Sequence, residues 1–582
     1  MNFLFPIIAV FSFYNISTKI IEKFDVKYDT FLFSIIAFLI YLILITNFII
    51  FKINIIWIYY LSYIIFIFTS LNFILFQRTK LINLILNNKI SFIVFAFFLT
   101  LSLLPLSSAD SYAYHLAWPK DLILNPEIIF NPLEMEYRVV GNGEIINYIG
   151  LLFGSENLQS FLCCVVIYFY VIKKKNKHLL FLIILSTPVF LKYSLDQKPF
   201  LLPCLIFAIF LGNLINKIHL KDINNLDLIG FFLSFYFFAG SKYPFLVLAA
   251  IVAIYILILS IRYNFFKRYV IYGFIFFLLC FFPLPFAKYL AFGDPFSPFL
   301  EGILNEGNQD IADLRLMYAF WDGYKLDEEE FIPLLRNLFN FIVPIKPFSL
   351  LDTYGFSVLL IFFYRFKHKD EIILILLMAL VTSLMVIYTN FQSRWYLFIA
   401  TYVVFLSDNF LIPKKYFKII KFSLIGFSAL IFCSYFYFLG FVFYNSSVKS
   451  FEDTKEKTMY LYADIKKVKN IANDELILTN TRANYFSDKL IKFKYPKTFS
   501  DQIYENEKLN LIKFGFFSVG VNYDNLADLR KYSVLRYFKK DCYTIIDYSD
   551  NLVAKRNLFS NKNYEKFVIL KFKKQIKHCL IF

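Results

Sequence analysis

The segment FLFSIIAFLIYLILITNFII, residues 31–50, decides the class of this protein. It contains no charged side chain, and about 20 consecutive apolar residues are what a helix needs to cross a bilayer. About 14 such segments, several of them short, recur along the 582 residues. We therefore predict an α-helical polytopic membrane protein. The segments begin near Asn2, Phe31, Ile55, Ser91, Glu156, Leu179, Pro199, Leu226, Pro244, Tyr269, Leu350, Glu371, Trp395 and Phe417.

The composition supports the same class. Hydrophobic residues make up 59% of the chain and charged residues 18%, whereas soluble domains have roughly 45–50% and about 25%. Mean hydropathy is +0.59. The net charge of +17 could indicate a nucleic-acid partner. Most basic residues lie in short loops between apolar spans, however, so membrane topology explains them and no nucleic acid is expected.

Basic residues in short loops orient the chain. Alternate loops carry about 21 Lys and Arg, for example Lys173, Lys174, Lys175 and Lys177, against about five in the intervening loops. Basic loops stay on the cytoplasmic side of a membrane. This assignment keeps the spans alternating and predicts that both termini are outside.

The orientation divides the chain into three parts. They are N-terminal transmembrane helices (1–90), a transmembrane core with large outside loops at 107–155 and 288–349 (91–443), and an extracytoplasmic α/β domain (444–582).

The third part alternates charged and apolar residues in a way typical of a small soluble domain. Phe451–Ala472 carries interspersed charges and predicts a helix, whereas the short apolar runs that follow predict strands. These runs are Glu475–Thr479, Phe516–Val521, Tyr543–Ile546 and Phe567–Phe572.

Seven cysteines are present, without CxxC or Cys/His metal spacing. Two of them, Cys542 and Cys579, lie in the polar C-terminal part, where a disulfide is one open possibility if that part is outside the cytoplasm. The others lie in apolar spans and are interpreted as packing residues: Cys163, Cys164, Cys204, Cys280 and Cys433.

Four outward basic residues run against the topology rule. Lys192 and Lys198 flank Asp196, Lys242 lies between two spans with almost no loop, and Arg394 lies at the mouth of a late span. Charges at a membrane are costly unless they are paired or functional. Snorkelling to the interface explains any single one, but several on one face predict a site.

Two acidic residues are expected on the same face. Asp110 follows a span and Asp196 precedes another; each could instead be a helix N-cap. His115 could be a base or a polar anchor beside Tyr112 and Tyr114. The other outside carboxylates are interpreted as solvated surface or acceptor-side residues. They are Glu134, Glu136, Asp294, Asp313 and Asp322.

Taken in their order along the chain, these acidic and basic motifs resemble those of the GT-C superfamily of membrane glycosyltransferases. This superfamily includes protein O-mannosyltransferases and lipid A aminoarabinose transferases. Asp110, followed by the predicted juxtamembrane helix Trp118–Ile129, is similar to the acidic residue of the family's first outside loop. Asp196 is similar to its second acidic position. Lys242 after Gly240-Ser241 and Arg394 before Trp395 resemble its basic positions.

The resemblance covers roughly residues 91–582 and has departures. Phe292–Phe299 looks like the family's Gly-Asn-Pro loop with Asp294 in place of Asn. Three spans precede the first large loop instead of one. Asp110 is followed by Ser111 rather than Glu, and a carboxylate-bound metal is not indicated.

The resemblance implies transfer of a sugar from a polyprenyl-phosphate carrier to an extracytoplasmic hydroxyl of a glycan, lipid or protein. Asp110 would be the base, with Asp196 and His115 in support. Lys242, Arg394 and Lys198 would bind the donor phosphate. No metal or cofactor is expected, and the expected location is the bacterial inner membrane with the third part in the periplasm.

Other functions remain open. An O-antigen polymerase or ligase also uses lipid-linked sugars but usually lacks a long C-terminal soluble domain. A transporter or lipid flippase would be favoured by inverted repeats and mid-membrane charges, which the sequence does not display. No sequence feature favours a structural assembly subunit.

Overall fold

The fold is that of a computed structural model, and it is mostly helical. The residues that it describes are 4–53, 56–104, 111–130, 135–174, 176–297, 353–355, 369–388, 393–405, 413–448, 455, 462–473, 475–479, 490–492, 512–520, 538–552 and 564–579.

The helices follow the apolar segments of the sequence. In chain order they are α1 (Leu4–Phe24), α2 (Thr30–Ile50), α3 (Ile56–Leu86), α4 (Lys89–Ser102), α5 (Ala117–Leu124), α6 (Glu144–Leu152), α7 (Leu158–Ile172), α8 (Lys177–Leu185), α9 (Pro188–Ser194), α10 (Leu201–Leu220), α11 (Asn225–Ser241), α12 (Tyr243–Arg262), α13 (Phe266–Phe276), α14 (Pro283–Phe292), α15 (Lys369–Tyr388), α16 (Leu397–Phe405), α17 (Lys414–Val448) and α18 (Tyr462–Ala472).

Within the described residues, five helices are long and apolar enough to cross a membrane: α1, α2, α10, α12 and α17. The number rises to seven if each of two bent pairs is one span. The chain is therefore compatible with a multi-pass membrane protein, but fourteen spans are not confirmed. Several predicted spans are shorter helices. For example, α4 has 14 residues and α7 has 15, or about 21–23 Å at 1.5 Å per residue.

The predicted span near Leu179 is instead two helices bent by 82°. Helix α8 ends at Leu185 and α9 begins at Pro188. Proline has no N–H to continue a helix, and it forces the preceding residue out of the α-region. Thr187 accordingly has φ −106° and ψ 90°. Proline suits the first position of the new helix, so the sequence both ends α8 and starts α9.

Helix α10 is the interior element of the first compact unit. In the most apolar stretch of 18 residues of α10, 83% is buried within the protein, against 39% in the corresponding stretches of α1 and α12. It packs against α11 and α16. The Phe207 ring stacks on Phe238 with centroids 4.8 Å apart and on Phe398 at 5.0 Å. Because neighbouring helices surround α10, they also hold in place the segments at its N-terminal end.

A second compact unit contains residues 111–117 and the described residues from 434 onward. It includes α18 and a five-stranded sheet of order β2-β1-β3-β5-β4. Strand β1 is parallel to β2 and β3, whereas β5 is antiparallel to β3 and β4. The strands are β1 (Ile477–Thr479), β2 (Leu490–Lys492), β3 (Phe514–Gly520), β4 (Tyr543–Leu552) and β5 (Tyr564–Phe572).

The four predicted strands coincide with β1, β3, β4 and β5, and β2 was not predicted. Of the predicted helix Phe451–Ala472, the structure describes mainly Tyr462–Ala472 as α18. Cys542 and Cys579 form a disulfide with their Cα atoms 5.4 Å apart. Four of the other five cysteines are buried, as expected for packing residues, but Cys433 on α17 is exposed.

Candidate functional site

Five charged residues of the first unit meet around the N-terminal end of α10. We call Glu144, Asp196, Lys198, Lys242 and Arg394 the charged cluster. They come from four segments that are far apart in sequence, each at or beside the start of a helix. Four of them are buried, and Arg394 is half-buried.

The strongest contact in the cluster is an ion pair between Lys242 and Glu144. The Lys242 ammonium lies 2.6 Å from Oε1 of Glu144, and the two side chains are only 7% and 0% exposed. Lys242 also donates to the carbonyl of Val139 at 3.2 Å. The second carboxylate oxygen of Glu144 accepts from the Gly141 N–H at 2.8 Å. Both charges are therefore desolvated and compensated by each other.

Close backbone packing makes this pair possible. A Cβ on Gly141 would lie 2.4 Å from the carbonyl oxygens of Gly240 and Ser241. The Asn142 N–H donates to the Gly240 carbonyl at 2.8 Å. Helix α11 ends at Ser241 and α12 begins at Tyr243, with Lys242 extended between them at φ −153° and ψ 141°. The segment before α6 is thereby fixed against the residue that carries the lysine.

The ring of Phe200 joins Lys242 to Arg394. The Lys242 ammonium lies 5.8 Å from its centroid and the Arg394 guanidinium 4.8 Å. The same guanidinium lies 4.7 Å from the Trp395 ring. Cations over aromatic faces are attracted by the ring quadrupole. Among the described residues, Nε of Arg394 and Nε1 of Trp395 are buried without a hydrogen-bond acceptor.

Asp196 and Lys198 belong to the turn that leads into α10. Their charged groups are 3.8 Å apart and their side chains are 12% and 11% exposed. Oδ1 of Asp196 accepts from the Gln197 N–H at 2.8 Å. The Asn147 amide donates to the Gln197 carbonyl at 3.0 Å. A Cβ on Gly143 would lie 2.2 Å from Cβ of Pro199, so this turn and the segment before α6 are in direct contact.

A second buried lysine lies beside the cluster. Lys288, 3% exposed, donates to the Arg138 carbonyl at 2.7 Å and to the Tyr243 hydroxyl at 2.6 Å. The Tyr243 hydroxyl donates to the Ser297 carbonyl. Consecutive carbonyls of one segment, those of Arg138 and Val139, are thus held by two different lysines.

An apolar cleft of about 270 Å³ lies on the kinked region from α13 to α14. It is lined by aromatic rings and prolines, and Phe296 of its wall is next to Ser297, which accepts from Tyr243. Its lining residues are Phe277, Phe281, Phe282, Pro285, Phe286, Tyr289, Pro295 and Phe296.

The predicted site residues lie in different parts of the structure, and one of them lies outside the described residues. Lys242 and Arg394 both lie over Phe200, and Asp196 and Lys198 pair with each other in the turn just before that residue. Asp110 lies outside the described residues. His115 belongs to the second unit, where it is buried and its ring centroid lies 4.0 Å from that of Tyr114.

The structure contradicts one sequence-based alternative for each of two acidic residues. Asp196 is not an N-cap, because α10 begins five residues later and the cap position is Phe200. Asp294 is not solvated: it is 0% exposed, and Oδ1 accepts from the Phe296 N–H at 2.7 Å. Gly293, at φ 71°, ends α14 there, and an Asp after such a turn readily bonds to backbone two residues on. Glu134, Asp313, Asp322 and the side chain of Glu136 lie outside the described residues.

Sequence reasoning missed Glu144 and Lys288. The signal for Glu144 is its place in Gly141-Asn142-Gly143-Glu144 directly before an apolar helix, since two glycines there permit close backbone approach. Lys288 had no comparable signal, because only the fold brings it to Tyr243.

Among the described residues, no group of three or more His, Cys, Asp or Glu side chains is arranged to hold a metal ion. Comparison with models of known protein families gives no match for this chain, and comparison with curated proteins gives none.

Proposed function

We propose that this protein is a membrane glycosyltransferase that moves a sugar from a polyprenyl-phosphate carrier to an acceptor hydroxyl outside the cytoplasm. The charged cluster would bind the phosphate of the donor. The observation that carries the proposal is the convergence of Lys242 and Arg394 on the one ring of Phe200.

The placement of two cations close together at the ends of apolar helices requires a physical explanation. Each cation costs free energy to desolvate, and the carboxylate of Glu144, 2.6 Å from Lys242, compensates that cation. Arg394 makes no ion pair among the described residues. Its planar guanidinium, held between two aromatic rings, is suited to a bidentate contact with phosphate. A phosphate at a lipid surface is the ligand that matches this chemistry and position.

The reaction would proceed as follows. The acceptor oxygen bonds to the anomeric carbon, its proton passes to a carboxylate, and the bond between the anomeric carbon and the phosphate oxygen breaks. The phosphate leaves with the electron pair. Asp110 is the proposed base, with Asp196 as the orienting carboxylate. Fixed cations stabilise the charge that grows on the leaving phosphate, which is the role of Arg394, Lys242 and Lys198.

Two further features support the proposal. The apolar cleft beside Ser297 suits the hydrocarbon chain of a lipid carrier. The disulfide between Cys542 and Cys579 suits an oxidising compartment, as expected if the second unit lies in the periplasm.

The test is transfer from a radiolabelled polyprenyl-phosphate sugar in membranes that contain the protein. We expect Asp110→Asn to abolish transfer, and Lys242→Ala and Arg394→Lys to reduce it at least about tenfold through loss of donor binding. Lys192→Ala is the matched control, because this outward lysine packs on Tyr193 rather than on Phe200.

Full activity of Asp110→Asn would exclude that residue as the base. Absence of both transfer and phosphate-lipid binding in the wild type would reject the proposal. Movement of the intact donor between leaflets without sugar transfer would instead identify a flippase.

A further inference from the structure

We infer that Glu144 determines which charge state of the lipid phosphate the cluster prefers, so that the sugar donor is bound and the spent carrier is released. This inference rests on the proposed function and adds a specificity-determining residue to it. Glu144 touches no substrate in this scheme; it acts through Lys242.

The two lipids differ by about one unit of charge. The donor is a phosphodiester with one negative charge. Once the sugar has left, the carrier is a phosphomonoester, whose second ionisation lies near pH 6, so that above neutral pH it carries close to two negative charges. An electrostatic site can distinguish these ligands through its own net charge.

Glu144 and Lys242 form the shortest ion pair of the charged cluster among the described residues. The Lys242 ammonium lies 2.6 Å from Glu144, whereas Lys198 lies 3.8 Å from Asp196. Arg394 lies over the rings of Phe200 and Trp395. Removing the charge of Glu144 or of Lys242 therefore changes the net charge that a phosphate meets in the cluster by one unit.

Glu144 directly opposes the charge of Lys242. It is fully buried and fixed at both oxygens, by Lys242 at 2.6 Å and by the Gly141 N–H at 2.8 Å. Because both oxygens are already engaged, this carboxylate is not placed to take the proton of an acceptor hydroxyl. Its charge offsets that of Lys242, so the ammonium can donate a hydrogen bond to phosphate without adding net charge to the site.

The experiment measures the dissociation constants of two short-chain probes at pH 8, with the full-length protein in nanodiscs of neutral lipid. One probe is farnesyl phosphate, a monoester. The other is methyl farnesyl phosphate, a diester that cannot transfer a sugar. The readout is the preference for the monoester, which is the diester dissociation constant divided by that of the monoester.

The variants form a series in net charge. Glu144→Gln keeps an acceptor for the Gly141 N–H and raises the net charge of the cluster by one. Lys242→Met lowers it by one, and the double variant returns it to the wild-type value. We expect the preference for the monoester to rise about fivefold or more in Glu144→Gln, the effect of one unit charge about 4 Å away in a medium as polar as water.

We expect the preference for the monoester to fall in Lys242→Met and to return to the wild-type value in the double variant. In transfer assays, Glu144→Gln should lower KM for the donor and kcat together and strengthen inhibition by farnesyl phosphate. Asp29→Asn is the control, since it breaks an ion pair of the same 2.6 Å length that is about 41% exposed; it should leave the preference unchanged.

Two results would overturn the inference: an unchanged preference in Glu144→Gln, or a double variant whose preference equals that of Lys242→Met. If Glu144→Gln does not fold, the comparison of the double variant with Lys242→Met decides alone. A wild type that binds neither probe rejects the proposed function itself, whereas binding of both with no change across the series rejects only the role of Glu144.

Discussion

At the scale of single residues, the ion pair of Glu144 and Lys242 has a direct consequence for stability. Removing one partner leaves the other charge buried without compensation, which costs about 3–5 kcal/mol. We expect Glu144→Gln and Lys242→Met each to lower the thermal unfolding midpoint in detergent. Glu144→Gln combined with Lys242→Met should recover most of the loss, because replacing both partners by groups of similar size is often nearly neutral.

The outcome that contradicts this prediction is additivity. If the double variant lost as much stability as the two single variants together, the two charges would be independent rather than one buried unit.

Gly141 gives a second prediction at this scale. Its Cα lies so close to α11 that an added methyl group would meet the Gly240 carbonyl oxygen at 2.4 Å. Gly141→Ala should therefore move Glu144 away from Lys242 and destabilise the first unit by about 1–3 kcal/mol. The measurement is the unfolding midpoint of the full chain.

Gly426→Ala is the matched control. It lies within α17, where an added Cβ meets nothing within 4 Å. Alanine is the better helix former, so this variant should be as stable as the wild type or more so. Equal destabilisation by both substitutions would show that close packing at Gly141 is not the cause.

At the scale of elements, the disulfide ties the segment that follows β5 to the residue before β4. The cysteines are 37 residues apart, and closing a loop of that length stabilises a fold by about 3–4 kcal/mol in the chain-entropy account. Replacing both cysteines by serine should make the second unit more sensitive to proteolysis. Reductant should do the same to the wild type, whereas Cys433→Ser, which removes an exposed free thiol, should have no effect.

The helices also explain why counting apolar segments overestimates the number of spans. Apolar composition predicts burial, but a helix can bury its surface against other helices as well as against lipid. Helix α7 is apolar, yet it has only 15 residues and most of them are buried within the protein. Composition alone does not separate these two environments.

At the scale of the whole molecule, the positive-inside assignment predicts sidedness that can be measured. Asp222 follows α10 in a predicted cytoplasmic loop with 73% of its side chain exposed, and Lys513 precedes β3 with 60% exposed. In cells, a membrane-impermeant maleimide should label Lys513→Cys at once but Asp222→Cys only after permeabilisation. The reverse pattern would place the charged cluster on the cytoplasmic side and remove the basis of the proposed function.

The sequence by itself determined the apolar segments that form candidate membrane spans, the main helices and four of the five strands that the structure describes. It did so because these depend on local properties, namely apolar length, loop charge and strand-like alternation. The same local signals located Asp196, Lys198, Lys242 and Arg394, whose charges stand out against apolar neighbours.

Only the tertiary structure decided which charges meet. Glu144 and Lys242 are 98 residues apart, and their pairing depends on two glycines that let the segment before α6 touch the end of α11. The cations converge on Phe200 because α10 is enclosed by its neighbours. Such contacts arise from the packing of distant segments, and a desolvated charge is compensated only by the groups that packing brings within a few ångströms of it.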